Sequence, residues 1–234
     1  GMNAVTITDH NTIDGCLEIA QHKDVFISEE VTTYFPDNCK IHVLAYNITE
    51  HQHAEISRLR KNIIELVTYL NREQIVHAVA HPMFSINDRL QPTHIDQLML
   101  LFKIWELNGA RSTRQNDIIR RITGTLTEEK IIALADQYDL PPRGDRPWEK
   151  FFISGSDDHS SLYMGLSYTQ SHPVDTADTF LENVRCGKMR TETYEAGPET
   201  LAQNIYSIMF QFYNEKFQLN RLINDKATTS FLND

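Results

Sequence analysis

Cysteine, proline and glycine are scarce in this chain, with 3, 8 and 9 copies among 234 residues. Cys16, Cys39 and Cys186 are odd in number, far apart and without CxxC spacing. That excludes a disulfide framework and a cysteine zinc site, and reduced thiols are expected. So little glycine and proline, beside 41% hydrophobic and 23% charged residues, excludes collagen-like and low-complexity classes and predicts a core-forming chain. No apolar run approaches the ~18 residues of a membrane span, and no charged-then-apolar leader opens the sequence. No membrane partner and a cytoplasmic location are therefore expected. Positive charge is also in deficit: 22 Lys and Arg stand against 32 Asp and Glu, for a net charge of −10. With no basic cluster interleaved with aromatics, long nucleic acid is not an expected partner. A small phosphorylated substrate is compatible with this charge, because bound divalent cations invert the local field.

What the sequence does contain is an alternation of short apolar runs with segments of helical period. The runs predict strands at Ala4–Thr8, Val25–Glu29, Lys40–Tyr46, Val76–Ala80, Lys103–Leu107 and Phe151–Gly155. Ile56, Leu59, Ile63, Leu66, Val67 and Leu70 form one amphipathic stripe between the third and fourth. Thr93 with Asp96, and Thr125 with Glu128, have capping-box spacing ahead of two further helices, and Asp175 and Gly187 bracket another. From Pro198 to about Ile223 the pattern predicts a long C-terminal helix with Leu201, Ile205, Ile208 and Phe212 on one face, a surface suited to a homo-oligomer. Strands alternating with helices predict parallel pairing, in an α/β barrel or a doubly wound sheet.

Metal-ligating residue types recur at the ends of these strands. Asp9 and His10 follow the first, Glu30 the second, His81 the fourth, and Asp157 and His159 the sixth; Glu106 and Asn108 belong to the end of the fifth, and His42 lies within the third. In parallel α/β architectures such ends converge on one mouth, where imidazole and carboxylate together suit zinc, manganese or iron. His22, His51, His53, His77, His94 and His172 are expected to be ordinary core or surface residues.

Thr8-Asp9-His10 with Gly15, Glu30, Ile41-His42-Val43-Leu44, Ala80-His81-Pro82 and Gly155-Ser156-Asp157-Asp158-His159 together resemble the PHP (polymerase and histidinol phosphatase) family over roughly residues 2–165. The resemblance implies a distorted (β/α)7 barrel over residues 1–196, with 197–234 a helical extension packed on it. It implies a metal-dependent phosphoesterase that hydrolyses a small phosphorylated metabolite or nucleotide by metal-activated water. The alternatives are a nuclease acting on short oligonucleotides and a non-catalytic partner-binding module. His10, Glu30, His42, His81, Asp157 and His159 are the implied metal ligands, with Glu30 bridging two ions. Asp9, His10 and Asp157 are the implied catalytic residues, and Glu106, Asn108 and Arg111 the substrate contacts. Arg89 and Arg114 are further candidate phosphate clamps, since guanidinium suits phosphate oxygens. Family members open with a strand carrying His-x-His, and this sequence shows no such opening strand; its His51-Gln52-His53 lies in a segment predicted to run outside the barrel mouth. The expectation is thus a barrel lacking its first strand, fewer ions than the two or three of a complete site, and weak or no hydrolysis.

Overall fold

A computed structural model describes residues 2–194 and 196–217, leaving out the side chain of residue 215. Five strands form one sheet in the order β1 (Ser28–Tyr34), β2 (Lys40–Tyr46), β3 (Val76–Val79), β4 (Ile104–Asn108), β5 (Phe151–Gly155). β1 pairs with β2 and β2 with β3 antiparallel, whereas β3–β4 and β4–β5 are parallel. The sheet is open: among the described residues no barrel closes, which corrects the expected (β/α)7 architecture. The antiparallel start has a local cause. Only Phe35-Pro36-Asp37-Asn38-Cys39 joins β1 to β2, far too short for a parallel crossover, and Asn38 turns it with φ 65°.

Two strand expectations also shift. Ala4–Thr8 forms no strand; the segment touches the sheet through isolated parallel bridges, Val5 with Val25 and His10 with Glu30. The second predicted strand begins at Ser28 and continues to Tyr34, so Glu30 lies inside it rather than after it.

The single amphipathic helix expected over Ile56–Leu70 is two, α2 (Glu50–Leu59) and α3 (Ile63–Arg72), following the short α1 (Asp14–Ile19). Asn62 breaks it by accepting the N–H groups of Ile64 and Glu65, a side-chain cap that starts a new helix. Four more follow: α4 (Pro92–Leu101), α5 (Thr113–Gly124), α6 (Glu128–Tyr138) and α7 (Ala177–Arg185). α4 starts after Gln91 and α6 after Thr127, so neither uses the predicted capping residue; α5 was not anticipated. A two-stranded antiparallel ribbon, β6 (Tyr168–Ser171) with β7 (Met189–Glu192), lies beside β5. The C-terminal helix α8 spans Pro198–Phe217, and its expected continuation to Ile223 lies outside the described residues.

Both sheet faces are covered. Val31, Val43, Val79, Trp105 and Leu107 join α3, α4, α5 and α6 in the larger core, while Leu44, Ala78, Ile104 and Ile153 meet Leu181 and Val184 of α7 on the other face. Where β4 ends, backbones come close. A Cβ at Gly109 would sit 2.3 Å from Ser167 Oγ and 2.9 Å from the carbonyl oxygen of Gly155. Ser167 Oγ cannot easily retreat, because it accepts the N–H of Tyr194 at 2.8 Å. Gly109→Ala is expected to cost about 1–3 kcal/mol, read as a lower urea midpoint at unchanged slope.

Candidate metal centre

Side chains alternate across a strand, so register decides which residues can meet. Glu30 is paired with Leu44, and Thr32 with His42, across β1 and β2. Glu30 and His42 therefore share the Leu44 face, and on β4 Glu106 and Asn108 share it with Ile104. The polar residues gather beyond the α7 contacts, at the C-terminal ends of β3, β4 and β5. Glu29 has the opposite parity. It is buried on the helix side, where His53 of α2 holds its Oε1 at 3.0 Å.

Three ligand-type atoms converge around Glu30. His42 Nδ1 lies 2.6 Å and His81 Nε2 3.0 Å from Glu30 Oε1, and the two nitrogens are 3.2 Å apart. His10 Nδ1 approaches Glu30 Oε2 at 4.0 Å, and its ring centroid is 4.7 Å from that of His42. Four-coordinate zinc with ligands at ~2.0–2.1 Å separates its donors by about 3.4 Å, and six-coordinate ions of that size by about 2.9 Å. The 3.0 and 3.2 Å separations made by His81 lie in this range, whereas His42 stands closer to Glu30 and His10 farther from it. The donor set, three imidazoles and one carboxylate, suits a divalent ion of the zinc, manganese or iron type.

A second polar group adjoins the first. His81 follows β3 with φ 27°, and its backbone N–H donates to Glu106 Oε2 at 2.8 Å. Asn108 Nδ2 bridges Glu106 Oε2 and Asp157 Oδ2, each at 3.0 Å. Asn108 is itself fixed by Asn116 of α5, which accepts its N–H and donates to its carbonyl, both at 3.1 Å. Arg111 Nη2 lies 3.3 Å from Asp157 Oδ2, its guanidinium carbon 3.9 Å from the centre of the Phe84 ring, and its buried Nε has no hydrogen-bond partner among the described residues. His159 Nδ1 is 3.9 Å from Asp157 Oδ1 on a partly exposed loop.

The electrostatics distinguish the two groups. Burial alone would raise the Glu30 carboxyl, but hydrogen bonds from His42 and His81 overcome it and hold the group well below the usual carboxylate range. Burial disfavours charge on both histidines: in His42 it prevails and the pKa falls, whereas in His81 Glu30, Glu106 and Asp157 outweigh it and the pKa rises. Glu106 is pushed up from 4.5 to about 7, chiefly by burial. Between those values the folded metal-free chain keeps a proton that the unfolded chain has released, so this contribution to stability falls as pH rises. At about 1.4 kcal/mol per pH unit the loss is about 3 kcal/mol. Urea titrations of chelator-treated protein from pH 4.5 to 8 should therefore show a smaller fall for Glu106→Gln than for the parent chain; parallel curves contradict an acid held neutral by burial.

Of the sequence-derived candidates, the structure brings His10, Glu30, His42 and His81 into one cluster and Glu106, Asn108, Arg111, Asp157 and His159 into the group beside it. Asp9 departs from both: a Cβ at Gly15 would sit 2.3 Å from its carboxylate, which places that side chain against α1. Arg89 donates to the carbonyl of Asp37 in the β1–β2 turn instead of joining Asp157, and Arg114 is exposed on α5. Among the histidines expected to be ordinary, His53 pairs with Glu29 and His94 with Asp37. Sequence reasoning missed Phe84 and Asn116. A recognised N-terminus for α5 would have placed Asn116 one turn inside it, facing the end of β4.

No protein-family model and no curated protein matches the chain, so the PHP resemblance rests on the motifs themselves. Two solved structures are similar over most of it. One, from Bifidobacterium adolescentis, is provisionally described as a metal-dependent phosphoesterase; it is 14% identical with a TM-score of 0.46, covering 80% of this chain and 86% of that one. The other, PsfC from Pseudomonas syringae, is 13% identical with a TM-score of 0.45, covering 89% and 83%. Likeness at this level carries no chemistry from either protein to this chain.

Proposed function

We propose that the chain is a metal-dependent phosphoesterase acting on a small phosphorylated metabolite or nucleotide. The observation that carries this reading is the meeting of Glu30, His42 and His81 within 3.2 Å of one another, with Arg111 in the adjoining group. His10, Glu30, His42 and His81 are the residues that would hold a divalent ion, which when bound would polarise a phosphoryl oxygen and lower the pKa of a water. The remaining roles belong to the chain. Arg111, braced between Phe84 and Asp157, offers its guanidinium to a phosphate oxygen in the planar geometry that the group provides. Asp157 orients Arg111 on one side and meets Asn108 on the other. His159, at the exposed edge, is placed to carry a proton to the departing oxygen. Glu106 positions His81 through its backbone N–H.

The test is a panel of p-nitrophenyl phosphate, sugar phosphates, mononucleotides and short oligonucleotides, assayed with manganese or zinc. Turnover of small monoesters is expected, in place of the weak or absent hydrolysis that the family resemblance implied, because His10, Glu30, His42 and His81 already form a cluster. The −10 charge should make rates fall as the substrate lengthens. Faster cleavage of oligonucleotides would favour a nuclease. A metal-loaded chain inert on every member contradicts the proposal.

A further inference from the structure

Among its described side chains, α8 buries polar residues and exposes its large apolar ones. Thr200 and Asn204 are its buried residues, and Asn204 Oδ1 accepts the N–H of His159 at 3.1 Å. Gln203 accepts the hydroxyl of Tyr163. Nine large apolar side chains of the helix, among them Leu201, Ile205, Tyr206, Ile208, Phe212 and Phe217, are 45–74% exposed. Leu162, in the loop that α8 holds, lines one hollow with Tyr206 and Phe210 and extends the same surface. Side chains of this kind present about 800 Å² when half-exposed. That exceeds the ~300–600 Å² of the largest apolar patch on an ordinary monomer and matches one partner's share of a standard interface.

Charge selects the occupant. Residues 200–214 contain no Asp, Glu, Lys or Arg, in a chain whose net charge is −10. Copies of so acidic a chain repel each other across most of their surface, and this is a long uncharged face on which two could meet. An anionic bilayer suits it poorly, because a surface-lying helix needs a basic polar face and Lys216 is the only cation between Pro198 and Phe217.

We infer that α8 is the interface of a homodimer, in which a second copy of this chain lays its own α8 against the first about a two-fold axis. The patch is then self-complementary, as a closed two-fold contact requires. Because α8 also holds the N–H of His159, pairing would steady the loop that carries Asp157.

Sedimentation equilibrium of the full chain tests this directly, with a mass of two chains expected. Ile208→Glu combined with Phe212→Glu should raise the dissociation constant by at least ~100-fold while leaving the far-UV circular dichroism of the monomer unchanged. Three results overturn the inference: the mass of one chain up to the highest soluble concentration, a dimer indifferent to the two substitutions, or co-flotation of monomers with phosphatidylcholine–phosphatidylglycerol vesicles. The first and third are read on the parent chain, so they hold even if the substituted chain misfolds.

Discussion

Glu30→Gln is expected to reduce hydrolysis of a phosphate monoester by at least ~1,000-fold, through loss of a bound ion rather than loss of fold. The substitution keeps the size and planarity of the side chain and removes the negative charge that His42 and His81 both face at 2.6 and 3.0 Å. An amide in that position offers a cation one neutral, weaker oxygen ligand, and its other end is an N–H₂ that repels it. The carboxylate is buried, so no water can stand in for it cheaply. Two measurements are paired: kcat/KM across a manganese titration, and the urea midpoint of chelator-treated protein. Activity within tenfold of the parent at saturating metal contradicts Glu30 as the central ligand.

Asp157→Asn is expected to lower kcat by at least ~100-fold with a change in stability within about 1 kcal/mol. Asp157 sits at φ 45°, a left-handed conformation that Asn adopts more readily than Ala. The amide can still meet Asn108, but the charge that orients Arg111 at 3.3 Å is gone. Asp157→Ala should show the same kinetic loss plus about 1 kcal/mol of backbone cost. Full activity of the folded fraction beside a stability loss above about 3 kcal/mol would assign the residue to structure instead.

How far the sequence revealed this arrangement differs from element to element, for physical reasons. β2 and β5 have the predicted bounds, Lys40–Tyr46 and Phe151–Gly155, because each is an uninterrupted run that fits buried strand positions and is flanked by turn residues. The direction of β1 was concealed because strand–helix alternation predicts parallel pairing throughout, whereas only the five residues Phe35-Pro36-Asp37-Asn38-Cys39 separate β1 from β2. Apolar periodicity runs through Asn62 unbroken, so only the side-chain cap separates α2 from α3.

At the site, residue types were legible and facing was not. Glu29 and Glu30 look alike in sequence, and the register of β1 against β2 sends one to His53 and the other to His42. His81 and Asp157 were legible as residues that close a strand, since both turn the chain through positive φ where the ladder stops. The support given to Asn108 by Asn116 arises from an eight-residue separation across a strand and a helix, and no periodicity signals it.

Metal binding by the chelator-stripped chain and by His81→Ala, followed by calorimetric titration with zinc and manganese, tests the central claim most directly. The parent chain is expected to take up at least one ion with micromolar or tighter affinity, and His81→Ala to bind at least ~10–100-fold more weakly. A parent chain that takes up no ion, or a His81→Ala chain that binds as tightly as the parent, would contradict a metal centre at Glu30, His42 and His81.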